Sequence, residues 1–291
     1  MKPLFENWRR FLKEEFAEEE KEFFGKSLEI GDQIVEIFQQ FLKDTVFPKY
    51  PNATISDVQA YLPFFIEEVE AKTNAKKLGC GQFRCGFDVG TTEIIKIDVT
   101  PYGAGKEHNK EDYMLGTLTE RSNIFPKAYA HSPDFSWVLL EKVRPFGKER
   151  LDEYVSFFPN SVLNSKRASS QTKYYVILAS FMYNSKNYDG ANRFLLRWVP
   201  KTIIDTESPE QVKEVMAAFR GRNPNYDNIL KVINQFGMRP EEVALRNTGT
   251  GLEDGRFVIL DSSIDSSILR GFAQKAPEEK NPAAGMETVK L

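Results

Sequence analysis

The stretch LGCGQFRCGFDVGTTEIIKID, residues 78–98, carries the strongest indication of fold in this chain. Gly79, Gly81 and Phe83 form a Gly-x-Gly-x-Phe turn between two short apolar runs, which predicts a hairpin. Glycine permits backbone conformations closed to other residues and lets a ligand approach closely. Lys96 lies at the centre of the second run, where its ammonium would supply a positive charge at a fixed position. The arrangement suits phosphate binding, although an ordinary hairpin with a solvent-seeking lysine has the same pattern.

A second hairpin is predicted in residues 241–261, EEVALRNTGTGLEDGRFVILD. The Asp-Gly pair at 254–255 is typical of a tight turn, and apolar residues alternate along the strand that follows it. Asn247 precedes this hairpin and Asp261 follows it, so the two side chains are expected at the strand ends. Their oxygens could hold Mg²⁺ against phosphates. In the plainer alternative they cap turns on a surface hairpin.

In order and spacing, these elements resemble the protein-kinase-like superfamily, especially its small divergent members encoded by tailed bacteriophages. Residues 78–83 resemble the glycine-rich loop, and Lys96 resembles the lysine of the following strand. Residues 109–112 resemble the start of the helix that supplies the partner of this lysine, here Glu111. Residues 125–129 and 136–143 resemble the next two strands and the hinge.

The resemblance covers roughly residues 76–270 and implies ATP and Mg²⁺ as cofactors. It implies that Lys96 and Glu111 act in catalysis and that Asn247 and Asp261 are the metal ligands. The residues that it implies for nucleotide binding are Gly79, Gly81, Phe83, Lys96, Glu141 and Val143.

The chain departs from the family pattern at positions that matter for chemistry. Arg84 replaces the third glycine of the loop, and Glu242 replaces the aspartate five residues before the metal-binding asparagine. Ser262 and Ser263 follow Asp261 in place of Phe-Gly, and the chain after them is too short for the usual activation segment. Glu242 is the candidate base or orienter of the acceptor hydroxyl, but it is one methylene longer than aspartate. A misplacement of about 1 Å can cost on the order of 10²-fold in rate.

These observations leave three hypotheses about function. The first is a kinase-like phosphotransferase with an unknown acceptor, for which the resemblance implies a phage origin. The second is a pseudokinase-like module that binds a protein partner in host takeover or inside the virion, with or without bound nucleotide. In the third, the resemblance is accidental and the chain is an unrelated α+β protein.

Composition narrows the classes of partner. The net charge of −3 and the pI near 5.7 give no reason to expect a nucleic-acid partner. No stretch approaches the length of a membrane span, and residues 1–15 are too charged for a secretory signal. We therefore expect a soluble cytoplasmic protein, located in the host cytoplasm if phage-encoded, with the virion as the alternative.

The cysteines and histidines are few. Cys80 and Cys85 flank the glycine turn and are expected to be reduced, although a disulfide between them is possible in principle. His108 and His131 are the two histidines. Because no His-x-x-x-His or Cys-x-x-Cys pair occurs, a zinc site is not expected.

The expected fold class is α+β: a two-lobed protein-kinase-like fold with an N-terminal helical extension and a reduced helical C-lobe. Apolar spacing predicts helices in 1–24 and 28–47, one starting after Thr54, and one in 107–120. Further helices are predicted in 151–158, 172–183, 209–219 and 225–236. The predicted divisions are a helical extension 1–75, an N-lobe 76–143, a C-lobe 144–270 and a flexible tail 271–291.

The opening MKPLFENWRRFLKEE resembles the short openings of otherwise unrelated proteins of large tailed phages. Some of those openings are capsid-targeting peptides, and Leu12-Lys-Glu14 resembles a cleavage site for a prohead protease. The alternative is an amphipathic helix that packs against the rest of the protein.

Overall fold

The protein combines helices with two antiparallel sheets. The computed structural model describes residues 18–90, 92–117, 123–160, 168–198 and 214–260. Over these ranges it is an α+β protein, which confirms the predicted class. The predicted opening peptide, the tail 271–291, Asp261 and residues 209–213 of the predicted helix 209–219 lie outside the described residues.

Two helices precede the first sheet. Helix α1 spans Glu18–Phe41 and continues into a π-helical turn, Leu42–Val46. The predicted break between residues 24 and 28 is wrong, because a single glycine such as Gly25 costs a helix only about 1 kcal/mol. Helix α2 spans Ile55–Lys72 and begins with the predicted cap: Thr54 and Asp57 each accept a hydrogen bond from the other's backbone N–H.

The larger sheet has five antiparallel strands in the order β1-β2-β3-β5-β4. The hairpin predicted in residues 78–98 is present, but this stretch contains one strand more than expected: the strand 84–88 follows the glycine turn, and Lys96 lies on the next strand, 93–98. Helix α3, Ala104–Thr117, connects β3 to β4. The strands are β1 Lys76–Cys80, β2 Arg84–Asp88, β3 Glu93–Asp98, β4 Ala128–His131 and β5 Trp137–Glu141.

Helices cover both faces of this sheet. Ile95 and Ile97 are fully buried in one core with α1 and α2, so the described part of the predicted extension packs directly on the strands. Gly31 lets α1 approach closely, since an added Cβ would lie 3.0 Å from the Trp137 ring. Asp32 accepts a hydrogen bond of 2.8 Å from the Trp137 indole. Helix α3 packs on the opposite face, where Tyr113 contacts buried residues of β5.

The second part of the chain is helical around a small three-stranded sheet. Strands β6 Val143–Pro145, β7 Thr248–Gly251 and β8 Phe257–Ile259 pair antiparallel in the order β6-β7-β8. The predicted Asp-Gly hairpin is confirmed, with Gly255 at φ 65° in its turn. A second core surrounds Tyr154, Phe181 and Tyr226. The helices are α4 Leu151–Ser156, α5 Ser170–Asn184, α6 Tyr188–Trp198 and α7 Pro224–Phe236.

Three of these helices match predicted ranges within a few residues, whereas α6 was not predicted. Its first turn contains Gly190 and its second Asn192, both poor helix formers, so local preference hides it. Helix α7 ends at the predicted residue, Phe236, and Gly237 follows it with φ 63° as the left-handed cap.

Candidate functional site

Lys96 lies in the middle of β3, on the face of the sheet covered by α3. Side chains alternate along a strand, so Ile95 and Ile97 point into the core with α1 and α2 while Lys96 points the other way. Its Nζ donates a hydrogen bond of 2.7 Å to Oδ2 of Asp112 in α3. With only 18% of its side chain exposed, Lys96 is fixed by this ion pair and is not a solvent-seeking lysine.

The prediction that Glu111 pairs with Lys96 is wrong. Glu111 lies 3.5 Å from His108, one turn earlier on the same helix. The residues of α3 that face the sheet include Asn109, Tyr113 and Gly116, and Asp112 lies on their side of the helix. Glu111 is about 200° around the axis from Asn109 and so faces away.

Asp112 also binds Arg84, the first residue of β2. Arg84 donates to the same carboxylate oxygen, Oδ2, at 2.7 Å. Burial raises the pKa of Asp112, but the charges of Arg84 and Lys96 outweigh it and hold this pKa below its ordinary value. The carboxylate is therefore ionised and lies between two cations.

The glycine turn between β1 and β2 is held at several points. Cys80 and Cys85 are joined by a disulfide, so the prediction that both are reduced is wrong. They are opposite each other in the β1–β2 register, which brings their side chains together. Inside the turn, Gly81 donates to the Arg84 carbonyl at 2.8 Å, and the Phe83 carbonyl accepts from Val99 at 3.0 Å.

The turn does not use glycine for unusual backbone angles. Among the described residues, positive φ values occur at other glycines, so this part of the prediction for Gly79 and Gly81 is wrong. What glycine gives here is open space: an added Cβ at Gly79 would meet nothing within 4 Å. The surface above the turn is thus accessible to a ligand, as the predicted nucleotide contact of Gly79, Gly81 and Phe83 requires.

Asn247, Glu242 and Leu260 are joined by hydrogen bonds at the base of the second hairpin. Asn247 Nδ2 donates to Glu242 Oε2 at 2.6 Å, and the Asn247 carbonyl accepts from the Leu260 N–H at 2.7 Å. Glu242 lies in the 3-10 turn Pro240–Val243, with its Oε1 3.8 Å from Arg239 Nε. The predicted base and the predicted metal-binding amide are therefore direct neighbours.

Lys96 reaches this second group as well. Its Nζ donates to the Leu260 carbonyl at 3.3 Å, which connects the five-stranded sheet to the end of β8. Leu260 immediately precedes Asp261, the other predicted metal ligand. Residues 96, 112, 247 and 260 thus belong to one continuous set of contacts.

The Glu141 side chain serves a different purpose. It lies at the end of β5 and forms a bidentate ion pair with Arg256. In this pair Arg256 Nη1 is 2.8 Å from Glu141 Oε1, and Arg256 Nη2 contacts Glu141 Oε2. Glu141 Oε2 also accepts from the Lys127 N–H at 3.0 Å. This carboxylate therefore anchors the hairpin to the larger sheet. The nucleotide contact predicted for Glu141 and Val143 stays a prediction.

The donor chemistry around Asn247 is compatible with a divalent cation. Because its Nδ2 binds Glu242, the Asn247 Oδ1 is the atom that could serve as the oxygen ligand preferred by Mg²⁺. Within the described ranges, no three His, Cys, Asp or Glu side chains form a group that could hold a metal ion.

A cavity of about 10 Å³ between Asp112 and Leu260 has room for about one water, so a nucleotide would bind outside it.

Comparison with family models, curated proteins and solved structures found no match for this chain. Over the described residues, no helix combines the length and apolar character needed to cross a bilayer.

Proposed function

We propose that the protein is a two-lobed, kinase-like module that binds ATP with Mg²⁺ and transfers phosphate to an unknown acceptor. The observation that carries the proposal is the position of Lys96, which pairs with a helix carboxylate and also reaches the end of the second hairpin. An ordinary hairpin lysine needs neither contact. The two large apolar cores, one between the five-stranded sheet and helices α1 and α2 and the other among the later helices, support the two-lobed arrangement.

In this proposal each residue has a defined task. Lys96, oriented by Asp112, binds phosphate oxygens, while Asn247 and Asp261 hold the metal. ATP and Mg²⁺ supply the transferable phosphoryl group and the charge that neutralises the leaving oxygen. During transfer the acceptor oxygen bonds to the γ-phosphorus as the bond to the β-phosphate oxygen breaks, and Glu242 accepts the hydroxyl proton. Positioning and electrostatics provide most of the rate in such reactions.

The environment of Glu242 favours a second candidate, a pseudokinase that binds nucleotide without transfer. Its carboxylate already accepts from Asn247 and lies near Arg239, with 14% of the side chain exposed. A base in these contacts is less available to an acceptor hydroxyl. In this alternative the protein acts through a protein partner, in host takeover or within the virion.

Calorimetry with ATP, with and without Mg²⁺, tests the proposed binding. Lys96→Met and Asp261→Ala should abolish Mg-ATP binding, whereas Asn247→Ala should only weaken it, because a carboxylate brings a full charge and an amide only a dipole. Lys72→Met is the matched control, since Lys72 lies on α2 and pairs with Glu68 at the surface. Equal ATP affinity with and without metal, or unchanged binding in Lys96→Met, would refute the proposal.

A further inference from the structure

An open cavity of about 250 Å³ lies where helix α1 passes the end of strand β3. Phe38 and Leu42, which are 5% and 7% exposed, form an apolar wall. Asp98, the last residue of β3, and Lys106, in the first turn of α3, bring charge to the lining. Small-molecule sites in proteins usually measure about 300–1,000 Å³, so this cavity suits a ligand of few atoms. The residues that line it are all different from the proposed nucleotide and metal ligands.

The two carboxylate oxygens of Asp98 have different surroundings. Oδ1 accepts hydrogen bonds from the Thr100 N–H at 2.9 Å, from the Thr100 hydroxyl at 2.6 Å and from the Gly105 N–H at 3.1 Å. Within the described ranges, every hydrogen bond to this carboxylate ends on Oδ1. Oδ2 lies 3.7 Å from the position of a Cβ added to Gly103, which also lines the cavity. The turn into α3 therefore explains one oxygen, and the other can accept from a ligand in the cavity.

The charges beside the cavity favour a cation. Lys106 forms its ion pair with Asp134, whose Oδ2 is 2.6 Å from Lys106 Nζ, so Asp98, Lys106 and Asp134 together leave one negative charge. Asp98 is only 6% exposed, and burial raises the pKa of its carboxyl against the hydrogen bonds from Thr100 and Gly105 and the charge of Lys106. The positive end of the α3 dipole is already met by Oδ1. A cation at Oδ2 would stabilise the charged form of this buried carboxylate.

Tyr102 adds an aromatic ring to the lining. It is 72% exposed, although it belongs to the cavity, so it lies at the mouth. A tyrosine ring attracts a cation that lies over its face. A buried carboxylate, an apolar wall and an exposed aromatic ring are together the features that recognise an organic ammonium.

We propose that this cavity binds a small organic monocation, a primary ammonium carried on an aromatic or short alkyl group. The ammonium donates to Asp98 Oδ2, its apolar group packs on Phe38 and Leu42, and Tyr102 covers it at the mouth. The charge of Asp98 repels an anion, and a neutral ligand of the same shape would cover the carboxylate without supplying a counter-charge. The proposal does not depend on nucleotide binding.

The test is a ligand-observed NMR titration of the full chain with three probes of similar shape: phenethylammonium, phenethyl alcohol and hydrocinnamate. The wild type should bind the ammonium about tenfold or more tightly than the alcohol, and the carboxylate most weakly. Asp98→Asn should weaken the ammonium by about tenfold or more and leave the alcohol nearly unchanged, because the amide keeps an oxygen for the turn but loses the charge. Glu68→Gln is the matched control: it removes the same charge on α2, where Glu68 pairs with Lys72, and should match the wild type.

A second pair of variants tests the mouth of the cavity. Tyr102→Ala should weaken the ammonium about threefold, whereas Tyr102→Phe keeps the ring and should match the wild type. Because Tyr102 is exposed, this pair remains informative if thermal unfolding shows that Asp98→Asn has lost the fold.

Three results would overturn the proposal. The first is an unchanged affinity for the ammonium in folded Asp98→Asn, which would leave Asp98 as a residue of the turn alone. The second is equal affinity of the wild type for the ammonium and the alcohol, which would mean that the cavity selects only for apolar character. The third is no saturable binding of the ammonium to the wild type up to about 10 mM. An unchanged affinity in Tyr102→Ala would refute the contact at the mouth.

Discussion

Lys96 Nζ lies 3.3 Å from the carbonyl oxygen of Leu260, although the two residues are 164 positions apart in the chain. One belongs to the centre of the five-stranded sheet and the other to the end of the β7–β8 hairpin. Lys96 also holds Asp112, so a single ammonium connects the sheet, helix α3 and the hairpin. This contact joins the three elements that carry the candidate site.

Asp112, and not Glu111, should be the residue on which the lysine depends. Asp112→Asn removes the carboxylate that Lys96 and Arg84 share, and we expect the free energy of unfolding to fall by roughly 2 kcal/mol or more. Mg-ATP affinity should fall with it. Glu111→Gln is the matched control and should change stability by less than about 0.5 kcal/mol, because its contact with His108 is long, at 3.5 Å, and the His108 side chain is 43% exposed. Urea unfolding of both variants measures this, and the reverse ranking would contradict it.

Transfer, if it occurs, should respond to the length and charge of residue 242. Glu242→Asp restores the side-chain length of the family pattern and should keep or raise the rate. Glu242→Gln removes the base and should abolish transfer while leaving nucleotide binding intact. A radiolabelled phosphate-transfer assay beside Mg-ATP calorimetry separates the two effects. Indifference to both substitutions would remove Glu242 from the mechanism and favour the pseudokinase alternative.

The ion pair between Arg256 and Glu141 should be important for stability. These side chains are 9% and 1% exposed, and breaking such a buried pair typically costs about 3–5 kcal/mol. Arg256 would keep its contacts with Asp254 and the Phe125 carbonyl, so we expect a cost near the lower end of this range. Glu141→Gln should therefore lower the free energy of unfolding by an amount of this order. Glu153→Gln, which weakens the more exposed pair with Arg150, should cost no more than about 1 kcal/mol. Similar costs for the two variants would contradict the anchoring role of Glu141.

Oxidation of Cys80 and Cys85 should stabilise the glycine turn modestly. The loop closed by this disulfide is short, so the entropic contribution is at most about 2 kcal/mol. Cys80→Ser should unfold like the reduced wild type and more easily than the oxidised wild type. Cys85 is fully buried, so its replacement would confuse the comparison with a packing defect. Alkylation of both cysteines in native, unreduced protein would show that the bond does not form.

His131 should make stability depend on pH. Burial lowers its pKa below the ordinary value of about 6.5, against a smaller opposing effect of the Ser132 carbonyl. The ring stacks on Phe135 with centroids 4.1 Å apart and is held in its neutral form. The unfolded chain therefore binds the proton more readily, so stability is full above about pH 6.5 and falls as the pH drops toward the folded pKa.

Urea unfolding between about pH 5 and pH 7.5 tests this, since that window spans the ordinary histidine pKa. His131→Phe should flatten the dependence on pH. His108→Gln removes the other histidine. A dependence of the free energy of unfolding on pH that is kept in His108→Gln and lost in His131→Phe is due to His131. A slope that is unchanged in His131→Phe would contradict the prediction.

Most of the local elements, and the face of the sheet to which Lys96 points, follow from short stretches of sequence. Alternation of Ile95, Lys96 and Ile97 fixed which residues of β3 enter the core, because successive side chains point to opposite faces. The Thr54 cap, the Gly237 terminus and the Asp-Gly turn were recognisable because each depends on a few adjacent residues. Features that depend on a few adjacent residues can be predicted from the sequence.

Which side chains meet depends on the packing of the tertiary structure. Helix α3 has few apolar residues, so its sequence does not fix its rotation, and packing of Tyr113 and Gly116 against the sheet turned Asp112 toward Lys96. The contact of Lys96 with Leu260 and that of Glu141 with Arg256 join residues more than a hundred positions apart. Such contacts depend on how whole sheets and helices pack together, so a short sequence pattern does not predict them.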